Sequence, residues 1–334
     1  MGGTKIRCAV FGENGRMLSS YTIASRAYPE PDDNIENLIA TLDRLISPYP
    51  VEHFRGIGIG LPGTVDNERG LVVYTPNLQW VNLPIAQRLK DKLGLPVSLI
   101  QDVAAAVWGE YQFGAGHGID NLVCATIGTG IACGILINGR LYGGTNHTAG
   151  EIGHLHIADD DLVCGCGNAG CLEACASGLG LVKLFRKAVK DGGSTPLTTR
   201  MKAEDINAYA IFDAARGGDE LCLSIIDQMA RYLAKGLSHV ATILAPELLL
   251  LSGGLSKESS LLVEPLKKYF YNYSYRSVRE NVRIELASLG EDAPLVGAAF
   301  LHRADDYSKQ YLSRRKMSTK NGGAKCQRED GHRT

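Results

Sequence analysis

An excess of charge of either sign is the first thing this sequence lacks: 35 Lys and Arg stand against 36 Asp and Glu, a formal net charge of −1. Without a global field, nucleic acid and anionic membranes are not expected partners. Long apolar runs are also missing. Leu248–Leu251 and its neighbours stop far short of the roughly 20 residues of a membrane span. No basic-then-apolar leader opens the sequence, so the cytoplasm is the expected location. The Walker pattern Gly-x4-Gly-Lys-Ser/Thr is absent, which argues against a P-loop enzyme. Apolar residues are not scarce: 45% of the chain is hydrophobic and 21% charged, which excludes a disordered or fibrous protein. At 334 residues the chain exceeds one domain of about 150.

Two residue types are abundant. Glycine is 39 of 334 residues, well above the usual share of about 7%, as expected where backbone approaches ligands or turns tightly. Nine cysteines, an odd number in a long chain without a leader, argue against a secreted disulfide framework. Three of them, Cys164, Cys166 and Cys171, fall close together.

A weak internal repeat organises the chain. Gly3–Phe11 can be laid over Gly128–Leu136, with Gly, Thr, Ile and Cys matching, and each copy runs into Asn-Gly-Arg (Asn14–Arg16 and Asn138–Arg140). Asn-Gly between apolar strands is a strong hairpin signal, because a type I′ turn needs φ > 0 at both positions. Two related α/β lobes are therefore expected. Between the copies, helical spacing at Ile35–Leu45, Ile85–Leu93 and Ala104–Tyr111 alternates with apolar strands at Gly56–Gly60 and Val97–Ile100. The second half adds a long helix, Leu221–Leu244, and the strand Leu248–Leu251. A last helix is expected from about Pro294 to Ala304. The expected division is residues 1–114 with the closing helix 293–304, then 115–292, then a polar, basic, disordered tail at 305–334.

The sequence Cys164-Gly-Cys166-Gly-Asn-Ala-Gly-Cys171, with His154 upstream, offers three thiolates and an imidazole on a glycine-rich loop. That set suits a closed, tetrahedral, structural Zn2+. A metal joining these segments would also bring Glu151 and Glu173 together as acceptors for sugar hydroxyls, although solvated surface glutamates are the plainer alternative. Gly3-Thr4-Lys5 and Gly128-Thr129-Gly130 place small residues and hydroxyls where bare N–H groups can surround phosphate. Gly253-Gly254, ending an apolar strand, suits the adenosine of the same nucleotide. Asp102 follows the strand Val97–Ile100 and precedes a helix, so it reads either as an N-cap or as a base for a substrate hydroxyl.

These residues together resemble the ROK family of sugar kinases and repressors. The resemblance rests on Gly150-Glu151-Ile152-Gly153-His154, the Cys164–Glu173 stretch, Gly2-Gly3-Thr4-Lys5, Pro62-Gly63, Pro76-Asn77-Leu78, Trp108–Gly116, Gly128–Ile131, Gly253-Gly254 and Gly297–Ala299. It covers Met1 to about Ala304 and is strongest toward bacterial-type glucokinases. It implies two actin-like (ribonuclease-H-like) lobes closing over a cleft, and ATP with Mg2+ as phosphoryl donor. The implied acceptor is a hexose phosphorylated at its 6-hydroxyl, or alternatively N-acetylmannosamine or N-acetylglucosamine. A non-catalytic sugar sensor is a further alternative. Carried over, Asp102 is the base; Gly63, Asn77, Gln101, Glu151, His154 and Glu173 line the sugar; and His154, Cys164, Cys166 and Cys171 hold zinc. A homodimer is expected by the same resemblance.

Departures from the family pattern set further expectations. Members open with a strand ending in Asp-x-Gly-Gly-Thr, whereas Met1 precedes Gly2-Gly3 here, so a truncated first strand is expected. Gln101 replaces a sugar-contacting Asn, Ala104 a second polar residue, and Ala132-Cys133 a Gly-Gly pair. Family repressors carry a helix-turn-helix ahead of the Gly-Gly-Thr loop; none is read here, so DNA binding of that kind is not expected.

Overall fold

A computed structural model describes residues 5–25, 31–75, 78–158 and 162–304. Gly3, Thr4, Asn77 and the tail 305–334 lie outside the described residues, so the expectations placed on them are not addressed by it.

The N-terminal lobe opens with a hairpin. Strand β1 (Lys5–Phe11) alternates, burying Ile6, Cys8 and Val10, and pairs antiparallel with β2 (Met17–Ala24). The turn between them is not type I′ as expected. Only Gly15 has a positive φ (79°), and its N–H donates to Gly12 O at 2.9 Å. A bulge at Val10/Phe11 absorbs the longer loop. Helix α1 (Pro31–Ile46) packs Ile35, Leu38 and Leu45 into the same core. Strand β3 (Ile57–Leu61) leads into a small antiparallel sheet, β4 (Thr64–Asp66), β5 (Leu71–Thr75) and β6 (Trp80–Leu83), which sequence periodicity did not reveal. Helix α2 (Ile85–Leu93) then precedes β7 (Val97–Gln101), which pairs parallel with β3 so that Leu61 faces Gln101. Helix α3 (Asp102–Phe113) starts with no intervening loop.

The C-terminal lobe is a five-stranded sheet in the order β10-β9-β8-β11-β12. Its strands are β8 (Leu122–Ile127), β9 (Ile131–Ile137), β10 (Arg140–Leu141), β11 (Leu248–Ser252) and β12 (Arg283–Leu286). The turn between β9 and β10 has Asn138 at φ 53° and Gly139 at 69°, the type I′ geometry the sequence predicts. Strand β11 lies parallel between β8 and β12, and all five of its residues are buried. That explains its unbroken apolar run, since a central parallel strand is covered on both faces. Helices α4 (Leu172–Ala176), α5 (Gly178–Lys190), α6 (Leu197–Arg200) and α7 (Ala208–Arg216) precede the long α8 (Glu220–Leu244). Asp219 caps α8 by accepting from Cys222 N at 3.0 Å. Helices α9 (Glu264–Tyr273) and α10 (Arg276–Asn281) lead to β12.

The closing helix is shorter than expected. It ends as α11 (Ala293–Ala299), and a single 3-10 turn, Leu301–Arg303, follows. Helix α11 packs against α3 at very short range: a Cβ on Gly297 would meet Ala105 O at 1.7 Å, and one on Gly109 would meet Ala293 O at 2.2 Å. Only glycine allows these two helices to cross so closely. Among the described residues no helix is long and apolar enough to cross a membrane.

Candidate functional site

The site gathers where strand ends of the two lobes face each other. Strands β3 and β7 end side by side, so Gly63 (φ 92°), just past β3, lies beside the Gln101–Asp102 step. Asp102 is not the cap of α3: that position belongs to Gln101, which makes no side-chain cap bond. Instead Asp102 Oδ1 accepts from Val103 N at 2.8 Å. Burial raises its pKa above the ordinary carboxylate value, outweighing the Val103 N–H that favours the charged form. A desolvated carboxyl of this kind holds a proton more tightly than an exposed one, which suits it to accept a proton from a substrate hydroxyl.

Gln101 reaches across the lobe boundary. Its Nε2 donates to Glu151 Oε1 at 2.9 Å. Glu151 precedes a short 3-10 turn, Ile152–His154, which delivers His154 to the cysteine loop. There His154, Cys164, Cys166 and Cys171 present ligand atoms that all lie within 4.8 Å of one another. Two of the edges, Cys166 Sγ to Cys171 Sγ and Cys164 Sγ to His154 Nδ1, are both 3.7 Å. A tetrahedron with Zn–S bonds of about 2.3 Å has S···S edges of about 3.8 Å, so the residues fit a closed zinc centre. The loop is held by Cys164 N donating to Asn168 O at 2.7 Å and by an isolated pairing of His156 with Cys171. Burial pushes the Cys171 thiol up to about 12, while the Asn168 backbone lowers that of Cys166.

Glu173 takes a position the sequence did not suggest. Its Oε2 accepts from Ile131 N at 3.0 Å, just past Gly128-Thr129-Gly130, and its Oε1 lies 3.9 Å from Cys164 Sγ. The cysteine loop and the second glycine loop are thereby tied together. That glycine loop is closed by Gly128 N donating to Gly130 O (3.0 Å), and Gly128 O accepts from Gly178 N at the start of α5 (2.7 Å). Gly253 (φ 92°) backs onto Ile127 O, bringing Gly253-Gly254 beside the same loop. The Tyr209 hydroxyl borders Gly254, and the residue is 60% exposed at the start of α7. Sequence reading missed Tyr209; an exposed aromatic one residue inside a helix start was the available signal. Lys5, expected to meet phosphate, lies near the surface 3.5 Å from Glu291 and borders a cavity that Asp102 also lines.

Glu110 was also missed as a positioning group. Fully buried, it accepts from Ala115 N (2.9 Å), Ser288 N (3.1 Å), Ser288 Oγ (3.2 Å) and Leu289 N (2.7 Å). It fixes the far end of the helix that begins at Asp102.

Comparison with known proteins gives one consistent picture. The ROK family model matches residues 1–305. A glucokinase from Streptomyces coelicolor is 34% identical over 318 residues, 92% of this chain and 96% of that one. A ROK family glucokinase from Streptomyces griseus, solved with glucose and AMPPNP, superposes with a TM-score of 0.75 at 34% identity, covering 90% of this chain and 96% of its own. A xylose repressor from Caldicellulosiruptor bescii is 32% identical over 251 residues, 75% of this chain and 63% of the repressor.

Proposed function

This chain belongs to the ROK family, and on that premise we propose that it transfers the γ-phosphoryl group of MgATP to the 6-hydroxyl of a hexose, as a glucokinase does. The observation that carries the reading is Asp102: a carboxyl with a burial-raised pKa, next in sequence to the Gln101–Glu151 bond between the lobes. A proton acceptor stands beside groups suited to sugar hydroxyls, and the glycine loops of the other lobe supply phosphate donors.

In this reading Gly63, Asn77, Gln101, Glu151 and His154 hold the sugar, and Asp102 takes the proton of its 6-hydroxyl as that oxygen attacks phosphorus. Glu173 serves the sugar and braces the phosphate loop through Ile131 N. The Thr129 hydroxyl and the N–H groups of Thr129 and Gly130 donate to the phosphates in a loop that Gly128 N closes, with Gly3, Thr4 and Lys5 on the opposite side. Gly253, Gly254 and Tyr209 form the adenosine shelf. Transfer of this kind depends on in-line positioning and charge neutralisation more than on covalent chemistry. Zinc on His154, Cys164, Cys166 and Cys171 would be structural, since four protein ligands leave no open position. Closing the lobes excludes water, which otherwise competes with the sugar hydroxyl.

The test is ADP release with glucose, mannose, fructose, N-acetylglucosamine and N-acetylmannosamine in turn. Release with a hexose is expected, and release confined to an N-acetylated sugar would redirect the substrate assignment. Sugar binding by calorimetry without ADP release from any sugar would favour a sensor, the reading that similarity to a xylose repressor supports.

A further inference from the structure

We propose that Arg216 is a positioning residue for the nucleotide: it pins helix α7 to the turn that follows β11 and so holds the Tyr209 ring at Gly254. The inference rests on the adenosine shelf of Gly253, Gly254 and Tyr209 proposed above.

Helix α7 meets that turn at both of its ends. Near its start stands Tyr209, whose hydroxyl a Cβ on Gly254 would meet at 2.9 Å. At its last residue, Arg216 Nη1 donates to Glu258 Oε2 at 2.6 Å, and Nη2 donates to Asp213 Oδ1. Tyr209, Asp213 and Arg216 are spaced i, i+4 and i+7, which puts the three on one face of the helix. Ile211, Phe212 and Ala215 occupy another face and are buried in the core. On the other side, Gly254–Lys257 is a 3-10 turn, which Glu258 closes by donating its N–H to Leu255 O at 3.1 Å. Seven residues of α-helix rise about 10 Å and four of 3-10 helix about 8 Å, so helix and turn can run side by side with a pin at each end.

The turn is the fixed partner. Leu255 and Ser256 are buried, and Gly253 O accepts from both Ser256 N (3.3 Å) and Ser256 Oγ (2.7 Å). The core face of α7 sets how deep the helix sits, and the ion pair sets its offset along the turn. Asp213 belongs to the same helix, so it aims the guanidinium, while Glu258 makes the link between elements. The Glu258 side chain is only 18% exposed, which keeps its carboxylate in one place, whereas Tyr209 is mostly open to water and has little packing to hold it. Arg216 itself is half-exposed. An ion pair this open adds little to stability, so its loss should show in nucleotide binding and not in folding.

The test is calorimetric binding of MgADP and, separately, of glucose, with a urea midpoint for each variant. Arg216→Ala should weaken MgADP roughly fivefold while glucose affinity stays within about twofold. The urea midpoint should stay near that of wild type. Glu258→Gln removes charge from the turn without altering α7 and should reproduce this pattern. Arg216→Lys keeps the charge but lacks the fork that spans two carboxylates, so it should fall between. Tyr209→Ala should weaken MgADP by itself, and adding Arg216→Ala to it should cost less than about twofold more, because the arginine acts through the ring. Weakened binding in Tyr209→Ala with unchanged binding in Arg216→Ala, or full additivity of the two, would overturn the role of Arg216 and leave the shelf standing. Equal losses of MgADP and glucose binding in Arg216→Ala would mark a general structural role and overturn it as well. No MgADP binding by wild type, or none lost in Tyr209→Ala, would overturn the shelf and this inference with it.

Discussion

Gln101 Nε2 lies 2.9 Å from Glu151 Oε1, a bond that crosses from the strand end next to the candidate base to the turn that carries His154 of the Cys/His cluster. A sugar seated here has to share or replace that bond. Gln101→Ala should therefore raise the KM for sugar by roughly tenfold, equivalent to about 1.4 kcal/mol for one lost polar contact, and leave the KM for ATP within twofold. Steady-state kinetics with each substrate varied in turn decides it; an unchanged sugar KM would reduce the bond to a latch between lobes.

Asp102→Asn should lower kcat by roughly 10²–10⁴-fold while calorimetric sugar binding persists. The same substitution should raise stability. Burial raises the folded-state pKa of Asp102 above its ordinary value of 3.8, so the folded chain holds this proton more tightly than the unfolded one. Its favourable contribution is full below the ordinary value and is lost as pH rises through the folded-state pKa. Above the folded-state pKa the desolvated charge is a net cost that Asn lacks. Tm of the variant should exceed that of wild type at pH 7, and the two should converge toward pH 3. A variant that loses both activity and Tm at pH 7 would mean Asp102 is a structural group.

Metal content and the Glu173–Ile131 bond can be separated by experiment. Mass spectrometry should find about one zinc per chain, lost together with tertiary structure of the 150–175 region when a strong chelator is added. Because Glu173 links that region to the glycine loop, chelation should weaken both sugar and nucleotide binding. Glu173→Gln should keep the zinc and weaken nucleotide binding severalfold. Zinc loss in that variant, or an ATP KM untouched by it, would contradict the coupling.

The parts of this molecule that were legible in its sequence are those governed by local rules. The period of Ile85–Leu93, the apolar run of β11 and the Asn138-Gly139 turn each follow from spacing or φ preference alone. The cysteine cluster was legible too, because ligand chemistry restricts which residues can surround one ion. The first hairpin departs from type I′ because Gly12 closes a longer turn, a choice made by backbone bonds and not by the Asn-Gly pair. The roles of Glu173 and Tyr209 depend on which loop ends meet across 40 residues or more, and no local pattern encodes that. The sheet β4-β5-β6 was missed because its strands are three to five residues long, too short for alternation to register.

Glu110 supplies a last test, of whether the site is held from a distance. Its carboxylate receives four hydrogen bonds, two from Ser288 and one each from Ala115 and Leu289, and every partner is a donor. Glu110→Gln puts an amide N–H₂ against at least one of those donors in a fully buried place. The expected loss is roughly 2–3 kcal/mol, read as a lower urea midpoint with an unchanged slope. Ser288→Ala removes one hydroxyl donor and keeps the backbone bonds, so its cost should stay near 1 kcal/mol. Because α3 carries Glu110 toward one end and Asp102 at the other, the Gln variant should also lower kcat more than it raises either KM. A loss of stability with kcat intact would show that α3 keeps its register without this anchor, and that the α3–α11 glycine crossing alone holds Asp102 in place.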